Sequence, residues 1–342
     1  MTGNYFLGDK QFQMREVSLP PLGEFDVKIQ NMAAGICGTD IHIYHGEKGS
    51  ADVTPPVVLG HEYAGIVTEI GPGVTSVQAG DHVTVDPNIY CGKCRYCKAG
   101  KKQLCGNLVA VGVNFDGGFA QYSVVPERQV YKLNPEVSFA EGAMAEPLAC
   151  CIHGVELANI QLGDTVCVIG GGPIGLLMAQ LAKGKGAARV ILSEPVEQRR
   201  RIGLELGADF AFNPLETPLA EQLEAVVGIS GADVVIECVG KPFATQQAVS
   251  VAEKGATVLL FSVPQAEAEY GLPLFQVYQK ELTIKGSFIN PDTHQKAVNL
   301  INAGKIKTAP LITHQYPLAR LEEALLKQMD ADSIKVQVLP QE

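Results

Sequence analysis

The chain has 342 residues, 46% of them hydrophobic, so it can form packed cores in two domains of about 150 residues each. A formal net charge of -10 excludes the basic face that nucleic-acid binding requires. No apolar run is long enough for a membrane span, and the first residues lack a signal peptide's basic start and apolar segment. We therefore expect a cytoplasmic protein without membrane or nucleic-acid partners, whose nine cysteines stay reduced.

Strand-like segments fill the first part of the chain. Residues 24–35, 62–71, 81–87 and 117–126 alternate or run apolar between Gly, Pro and Asp, which predicts short strands with frequent turns. Residues 139–158 then follow a helical pattern.

Three residues of metal-ligating type lie beside glycines in this first part: Cys37, His61 and Glu62. Each alone is more often an ordinary core or surface residue. Together, a thiolate, a carboxylate and a neutral imidazole would neutralise a divalent zinc and leave one coordination position for water or substrate. Glu146 would make such a set net negative, so we expect it at or behind the open position, through water or by exchange with substrate. Another divalent metal could replace zinc at a site with a carboxylate ligand.

Four cysteines lie within fifteen residues: Cys91, Cys94, Cys97 and Cys105. Neighbouring glycines allow the tight turns that a loop needs to surround a tetrahedral ion with bonds of about 2.3 Å to sulfur. Four thiolates leave no open position, so such a zinc would be structural. The alternatives are an iron–sulfur cluster, a disulfide pair or a chance spacing, and the lack of a second quartet or of a proline after the last cysteine favours zinc.

Strands alternate with helices after residue 164. Residues 165–172, 188–194, 233–240 and 256–264 read as strands, and helical patterns follow the first two of them. This alternation predicts a doubly wound parallel sheet.

A dinucleotide fingerprint joins the first of these strands to its helix. Gly170, Gly172 and Gly175 fit G-x-G-x-x-G, with Pro173 at the helix start. Gly170 would make the tight turn, Gly172 would admit the pyrophosphate, and Gly175 would allow close helix–strand packing.

Glu194 ends the next strand, where a carboxylate would bind the ribose hydroxyls and repel a 2′-phosphate, favouring NAD over NADP. Glu194 could instead cap the following helix. Arg199 could stack on the adenine or be solvated, and the run of three arginines that it begins leaves some NADP binding open.

The last residues predict a helix at 294–304, a strand at 312–318, a helix at 321–329 and a strand at 335–339. This tail is too short to be a domain, so we expect it to pack on the first part of the chain.

Over essentially its whole length the chain resembles the zinc-dependent medium-chain alcohol dehydrogenases, and most of all their sorbitol (polyol) and threonine dehydrogenase branch. The most specific stretch is GHEYAGIVTEIGPGV at 60–74, and CGTDIH, the cysteine quartet, DGGFAQY, AEP and GGGPIG follow the family's order. The resemblance implies an α/β protein. A GroES-like β-rich catalytic domain would span 1–148 and 290–342, and a doubly wound Rossmann dinucleotide-binding domain would span 149–289.

The resemblance also implies roles for residues. Cys37, His61 and Glu62 would ligate a catalytic zinc with Glu146 nearby, and Thr39 and His42 would carry a proton from the substrate oxygen to solvent. Beyond the fingerprint glycines and Pro173, the implied cofactor contacts are Ile174, Glu194, Arg199, Ser262, Val263, Pro264, Ser287 and Phe288. One catalytic and one structural zinc per subunit, NAD and a homotetramer complete the expectation.

Two departures concern the substrate. Sorbitol dehydrogenases typically carry Tyr where this chain has Ile43, and an Arg-Tyr pair where it has Ile289 and Asn290. Both family positions contact the polyol, which argues against sorbitol itself. We expect hydride transfer between NAD and a polyol or sugar-derived secondary alcohol. The alternatives are oxidation of an amino alcohol of the threonine type and of a phosphorylated polyol or sugar acid. A zinc-free reductase or a protein that only binds cofactor would lack the set at Cys37, His61 and Glu62.

Overall fold

The structure is a computed structural model that describes residues 1–16, 18–47 and 52–342. These residues form two compact units, one of Met1–Ala149 with Asn290–Glu342 and one of Cys150–Ile289. None of the helices in the described ranges is both long and apolar enough to span a bilayer.

The strands are β1 Thr2–Gly8, β2 Gln11–Glu16, β3 Asp26–Gly35, β4 Val57–Val58, β5 Glu62–Ile70, β6 His82–Val85, β7 Asn88–Ile89, β8 Val109–Ala110, β9 Tyr122–Pro126, β10 Val130–Lys132, β11 Thr165–Ile169, β12 Arg189–Ser193, β13 Phe210–Phe212, β14 Ala232–Glu237, β15 Ala252–Leu260, β16 Thr283–Gly286, β17 Ile312–Pro317 and β18 Lys335–Leu339. The α-helices are α1 Gly38–Tyr44, α2 Arg95–Lys98, α3 Phe139–Gly142, α4 Ala145–Ala158, α5 Pro173–Gly184, α6 Glu197–Glu205, α7 Leu219–Gln222, α8 Pro242–Ser250, α9 Leu274–Gln279, α10 His294–Asn302 and α11 Leu321–Gln328.

The first unit is built on β3, which pairs antiparallel with β5, β9 and β18. Its residues alternate between buried and half-buried up to Met32 and are all buried from Ala33 to Gly35. The pairing of Gly35 with Gln337 brings the last strand of the chain to this fully buried end. The tail therefore returns to the first part of the chain, as its length predicts.

The second unit holds six parallel strands in the order β13-β12-β11-β14-β15-β16. All five residues of β11 are buried, which agrees with its unbroken apolar sequence. Because the strand order reverses at β11, ligands of such sheets bind beyond its carboxyl end.

The predicted helix over 139–158 is two helices. A capping box between Ser138 and Glu141 starts α3, which ends at Gly142. Pro147 has no N–H and fits only in the first turn of a helix, so the chain starts a new helix at Ala145. The N-terminal pair β1–β2 has no counterpart among the predicted elements.

Candidate active site and metal centres

The cysteine at the end of β3 is held by the start of a helix. Cys37 is the N-cap of α1, and its backbone N–H donates to Oδ2 of Asp40 at 2.8 Å. This contact closes the first turn and fixes the backbone that carries the thiol.

His61 and Glu62 come from the loop before β5 and from its first residue. Gly60 has a φ of +94°, and an added Cβ there would lie 2.8 Å from the Phe119 ring, so the turn requires glycine. One ligand atom each of Cys37, His61 and Glu62 lies within 4.8 Å of the others. The structure thus brings together three donors that are scattered in the sequence.

A single buried carboxylate serves two members of this set. Oδ1 of Asp40 is 3.6 Å from Nδ1 of His61, while Oδ2 holds Cys37. Burial raises the pKa of Asp40, and the nearby His61 opposes that shift. Burial disfavours the charged form of His61, but Asp40, Cys37 and Glu146 together raise its pKa well above the usual range.

Glu62 is paired with a buried lysine from the end of the chain. Lys335 Nζ contacts Oε2 of Glu62 and donates to the Ile36 carbonyl at 2.9 Å. Burial opposes its charge, but Glu62, Cys37 and Asp40 raise its pKa above the usual value. Gly35 leaves room for the pair, since a Cβ there would lie 2.3 Å from Glu62 Oε2 and 2.9 Å from Lys335 Cε.

This donor set fits a zinc ion. It offers sulfur, nitrogen and carboxylate oxygen, the three ligand types of catalytic zinc sites, and three protein ligands leave a fourth position open. The raised pKa values of His61 and Lys335 show that the surrounding groups stabilise positive charge here. Asp40 lies beside Nδ1 of His61, which leaves Nε2 as the nitrogen for a metal, and carboxylates commonly take this place behind zinc-bound imidazoles.

Glu146 lies in the first turn of α4 and is buried. It acts electrostatically on His61, but its carboxylate is outside the group of mutually close donors among the described residues. Glu146 is therefore near the three-ligand set but is not a member of it.

Thr39 and His42 lie three residues apart on α1, so their side chains share one face of the helix. Thr39 is buried, and the His42 side chain is 22% exposed. The face thus leads from the buried cluster toward solvent.

The four sulfurs of the cysteine quartet converge. Sγ of Cys97 is 3.5 Å from that of Cys94 and 3.9 Å from that of Cys91, and Cys105 belongs to the same close group. Bonds of about 2.3 Å from a tetrahedral zinc place sulfurs about 3.8 Å apart, so these distances fit.

Hydrogen bonds from backbone N–H groups favour the thiolate form of two of these cysteines. Hydrogen bonds from the amides of Lys93 and Cys94 lower the pKa of Cys91 to about 6, and the pKa of Cys94 is lowered by the Cys97 amide. Burial raises the pKa of Cys97 to about 12. A bound cation would supply the charge that Cys97 needs to ionise.

The glycine fingerprint of the second unit lies at the carboxyl end of β11. Gly170 has a φ of +99°, and an added Cβ at Gly175 would lie 1.8 Å from the Gly170 carbonyl oxygen. Gly172 is the N-cap of α5 and has open space around its missing side chain, with Pro173 at the first helical position. Ile174 follows it and is half-buried. The turn therefore presents helix N–H groups to an open space, as a pyrophosphate site requires.

Glu194 is buried beside this turn. Its Oε2 accepts a hydrogen bond from Gly171 N–H at 2.6 Å, and its Oε1 accepts one from Val196 N–H at 2.8 Å. Arg199 is half-buried, and Arg200 donates to the carbonyl oxygens of Glu194 and Pro195. The carboxylate satisfies an amide just before α6, in line with the capping alternative, and it lies beside the fingerprint turn; its predicted role in binding ribose hydroxyls stays a prediction.

A buried carboxylate that the sequence pattern did not single out lies at the end of β14. Glu237 accepts hydrogen bonds from Val239 N–H at 2.6 Å and Gly240 N–H at 2.8 Å, and from the Ser262 hydroxyl. It therefore fixes the loop that carries the predicted cofactor contacts Ser262, Val263 and Pro264.

The remaining predicted cofactor contacts follow β16. Ser287 N–H donates to the Leu260 carbonyl at 3.1 Å, and Phe288 is exposed. Among the residues that depart from sorbitol dehydrogenases, Ile43 is buried in the core of the first unit and Asn290 is fully buried. Ile289 has a φ of +40°, which is strained for a β-branched side chain.

Comparison with known proteins identifies the family of this chain. The family described as "Alcohol dehydrogenase GroES-like domain" matches residues 23–135, and "Zinc-binding dehydrogenase" matches residues 173–303. Sorbitol dehydrogenase of Halalkalibacterium halodurans is 35% identical over 97% of each chain. The chain belongs to the zinc-dependent medium-chain alcohol dehydrogenases.

Two further similar proteins support this family assignment. L-threonine 3-dehydrogenase of Pyrococcus furiosus is 36% identical over 89% of this chain and 88% of its own. The crystal structure of a zinc-binding dehydrogenase from Sinorhizobium meliloti, bound to NADP, superposes with a TM-score of 0.94 at 39% identity and covers 99% of each chain. The predicted fold class, family and enzyme class are confirmed, and this dehydrogenase is an oxidoreductase acting on an alcohol.

Sequence reasoning missed Asp40, Lys335 and Glu237 in this dehydrogenase. Asp40 has the spacing of a capping box to Cys37, but neither residue is of the type that the sequence pattern of a capping box requires, so this signal is weak. Lys335 gave no local signal, since only the pairing of β18 with β3 brings it to Glu62. Glu237 ends a buried strand next to the fingerprint strand, and such strand ends commonly hold site residues.

Proposed function

We propose that this dehydrogenase interconverts a secondary alcohol of a polyol or sugar-derived compound and its ketone, with NAD as the hydride carrier. The observation that carries the proposal is the convergence of Cys37, His61 and Glu62 to within 4.8 Å, backed by Asp40 and Lys335. The similarity to a sorbitol dehydrogenase over nearly the whole chain supports a polyol-like substrate.

Cys37, His61 and Glu62 would hold a catalytic zinc, and the cysteine quartet a structural one. When bound, zinc supplies a Lewis acid that makes a hydroxyl acidic near neutral pH, and the nicotinamide supplies a hydride acceptor. Glu146, which acts electrostatically on His61, would lie at or behind the open coordination position, through water or by exchange with substrate.

The protein's own part in proton movement belongs to α1. The Thr39 hydroxyl would take the substrate proton and pass its own proton to His42, which is partly exposed and can release it to solvent. A histidine suits the terminal position because it titrates near neutral pH.

The fingerprint, Ile174, Arg199 and the segments around Ser262 and Ser287 would bind the dinucleotide. The buried carboxylate of Glu194 beside Gly171 supports NAD, because a 2′-phosphate would meet its negative charge. We further propose a cytoplasmic homotetramer, which rests on the family resemblance alone.

A threonine-type amino alcohol is the second candidate, supported by the similarity to L-threonine 3-dehydrogenase. An NAD-coupled absorbance screen over polyols, sugar acids, 2,3-butanediol and threonine separates the two. We expect turnover of a polyol or sugar-derived alcohol and its loss in Cys37→Ser. Strong activity with threonine alone would overturn the polyol assignment. Metal analysis gives the independent readout: about two zinc ions per subunit in the wild type.

A further inference from the structure

The end of α1 folds back over one of its own residues. Gly46 has a φ of +74°, and its N–H donates to the Ile43 carbonyl at 3.0 Å. Glu47 N–H donates to the His42 carbonyl at 2.8 Å. These two bonds form a Schellman motif, which places the residue after the left-handed glycine against the third residue from the helix end. In this chain the two residues are Glu47 and His42.

The side chains of these residues also meet. Nδ1 of His42 is 2.6 Å from Oε2 of Glu47. A carboxylate accepts hydrogen bonds and donates none, so Nδ1 must carry the proton in this contact. The neutral imidazole then has its lone pair on Nε2, and which nitrogen is free is set by the partner of the other.

Among the described residues, charged and aromatic side chains lie around this contact. Asp9 and Asp52 line one cavity together with Glu47 and Ile43. Lys10 Nζ lies 6.0 Å from the centre of the Tyr44 ring, and the Tyr44 hydroxyl donates to Glu322. His45 packs edge-on against Tyr44. The imidazole N–H of His42 donates to Glu47, while these other groups lie around the end of α1.

We propose that Glu47 is a positioning residue for proton transfer, holding His42 in the tautomer whose Nε2 accepts the proton that leaves the substrate. This role rests on the proton path through Thr39 and His42 proposed above. The substrate hydroxyl gives its proton to the Thr39 oxygen as Thr39 gives its own to Nε2, and Nε2 later releases that proton to solvent. The Nδ1 proton stays in place, and the electron pair of the broken C–H bond leaves as hydride to the nicotinamide.

Two substitutions of Glu47 and one of Gly46 separate the parts of this role. Glu47→Gln keeps an oxygen that can accept from Nδ1, whereas Glu47→Ala removes the acceptor. We expect Glu47→Ala to lower kcat about tenfold with little change in KM, the low end of the cost of removing a partner that orients a functional histidine. Glu47→Gln should recover most of kcat. Gly46→Ala keeps both side chains but disfavours the left-handed turn, so it should resemble Glu47→Ala.

The tautomer gives a readout apart from activity. In protein labelled with ¹⁵N-histidine, long-range ¹⁵N–¹H spectra report which ring nitrogen carries the proton, and His42→Gln identifies the signal among seven histidines. We expect protonated Nδ1 in the wild type and in Glu47→Gln, and its loss in Glu47→Ala. Asp9→Asn removes a charge from the same cavity without touching His42 and should leave the tautomer and kcat unchanged.

The outcomes separate the two proposals. Retention of the Nδ1-protonated form or of full kcat in Glu47→Ala would overturn the role of Glu47. Full kcat in His42→Gln would instead show that the proton path itself is wrong. A protein that turns over none of the screened alcohols would overturn the proposed function, and the spectra would still test the contact.

Discussion

Replacing Lys335 with methionine would leave the Glu62 carboxylate buried without its cation. Both side chains are at most 3% exposed, so water cannot take over the contact. Removing one partner of a buried ion pair costs about 3–5 kcal/mol. The Ile36 carbonyl also loses its hydrogen-bond donor, although the free-energy cost of that loss does not simply add to the cost of breaking the ion pair. We therefore expect the metal-free protein to lose about 4 kcal/mol of unfolding free energy.

Zinc at Cys37, His61 and Glu62 would give the carboxylate another cation, so the loss should be clearly smaller in the zinc-loaded protein. Urea unfolding followed by far-UV circular dichroism measures both states, since the chain has no tryptophan to report by fluorescence.

Lys28→Met is the matched control on the same sheet. Lys28 pairs with Glu69 at 2.5 Å, but the Glu69 side chain is 59% exposed, so this pair should contribute at most about 1 kcal/mol. A loss below about 1 kcal/mol in metal-free Lys335→Met would refute the reasoning, because it would place the buried pair in the class of the exposed one.

Three further predictions concern the metal, the cofactor and pH. Gly35→Ala should lose the catalytic zinc and keep the structural one in metal analysis, whereas Gly38→Ala, with nothing within 4 Å of the added Cβ, should keep both; equal zinc contents would contradict this. Glu194→Gln should lower kcat/KM for NAD by roughly 10–100-fold and raise the NADP-to-NAD preference, since a charged hydrogen bond contributes about 1.5–3 kcal/mol; an unchanged ratio would count against the NAD assignment. Burial raises the pKa of Asp86 to about 7, so its contribution to stability is fully present below the unfolded pKa near 4 and is lost as pH rises through about 7. Asp86→Asn should therefore gain about 2–4 kcal/mol relative to wild type between pH 4 and pH 8 in urea unfolding. Asp81→Asn should show no such gain from pH 5 to pH 8, because the pKa of Asp81 is lowered and its contribution is lost only at acid pH.

Much of the second unit could be predicted from the sequence, because its signals are local. A buried strand, three glycines and a helix follow one another within 165–184, and Glu194 ends the next strand. The quartet is equally local. Periodicity did not reveal the break between α3 and α4, because the sequence stays apolar on both sides of it. The local signals of the break are Gly142 at the end of α3 and Pro147 in the first turn of α4.

The supporting residues of the zinc-type set could not be predicted in the same way. Glu62 and Lys335 meet because β5 and β18 both pair with β3 at Gly35, a relation that depends on sheet register rather than on spacing. The Schellman turn was not predicted, because no helix was predicted over residues 38–44. The contact between Glu47 and the imidazole also depends on which residue occupies the third position from the helix end.

The return of β18 to β3 has a consequence for synthesis. The quartet is complete once residue 105 has left the ribosome, so the structural site can take up its ion while most of the chain is still being made. The other site acquires Lys335 only after a further 230 residues have been made, from residue 105 to residue 335. A nascent chain therefore passes through a stage in which all four cysteines of one metal site are present while Glu62 of the other still lacks Lys335. Any truncation before residue 335 leaves the protein at that stage.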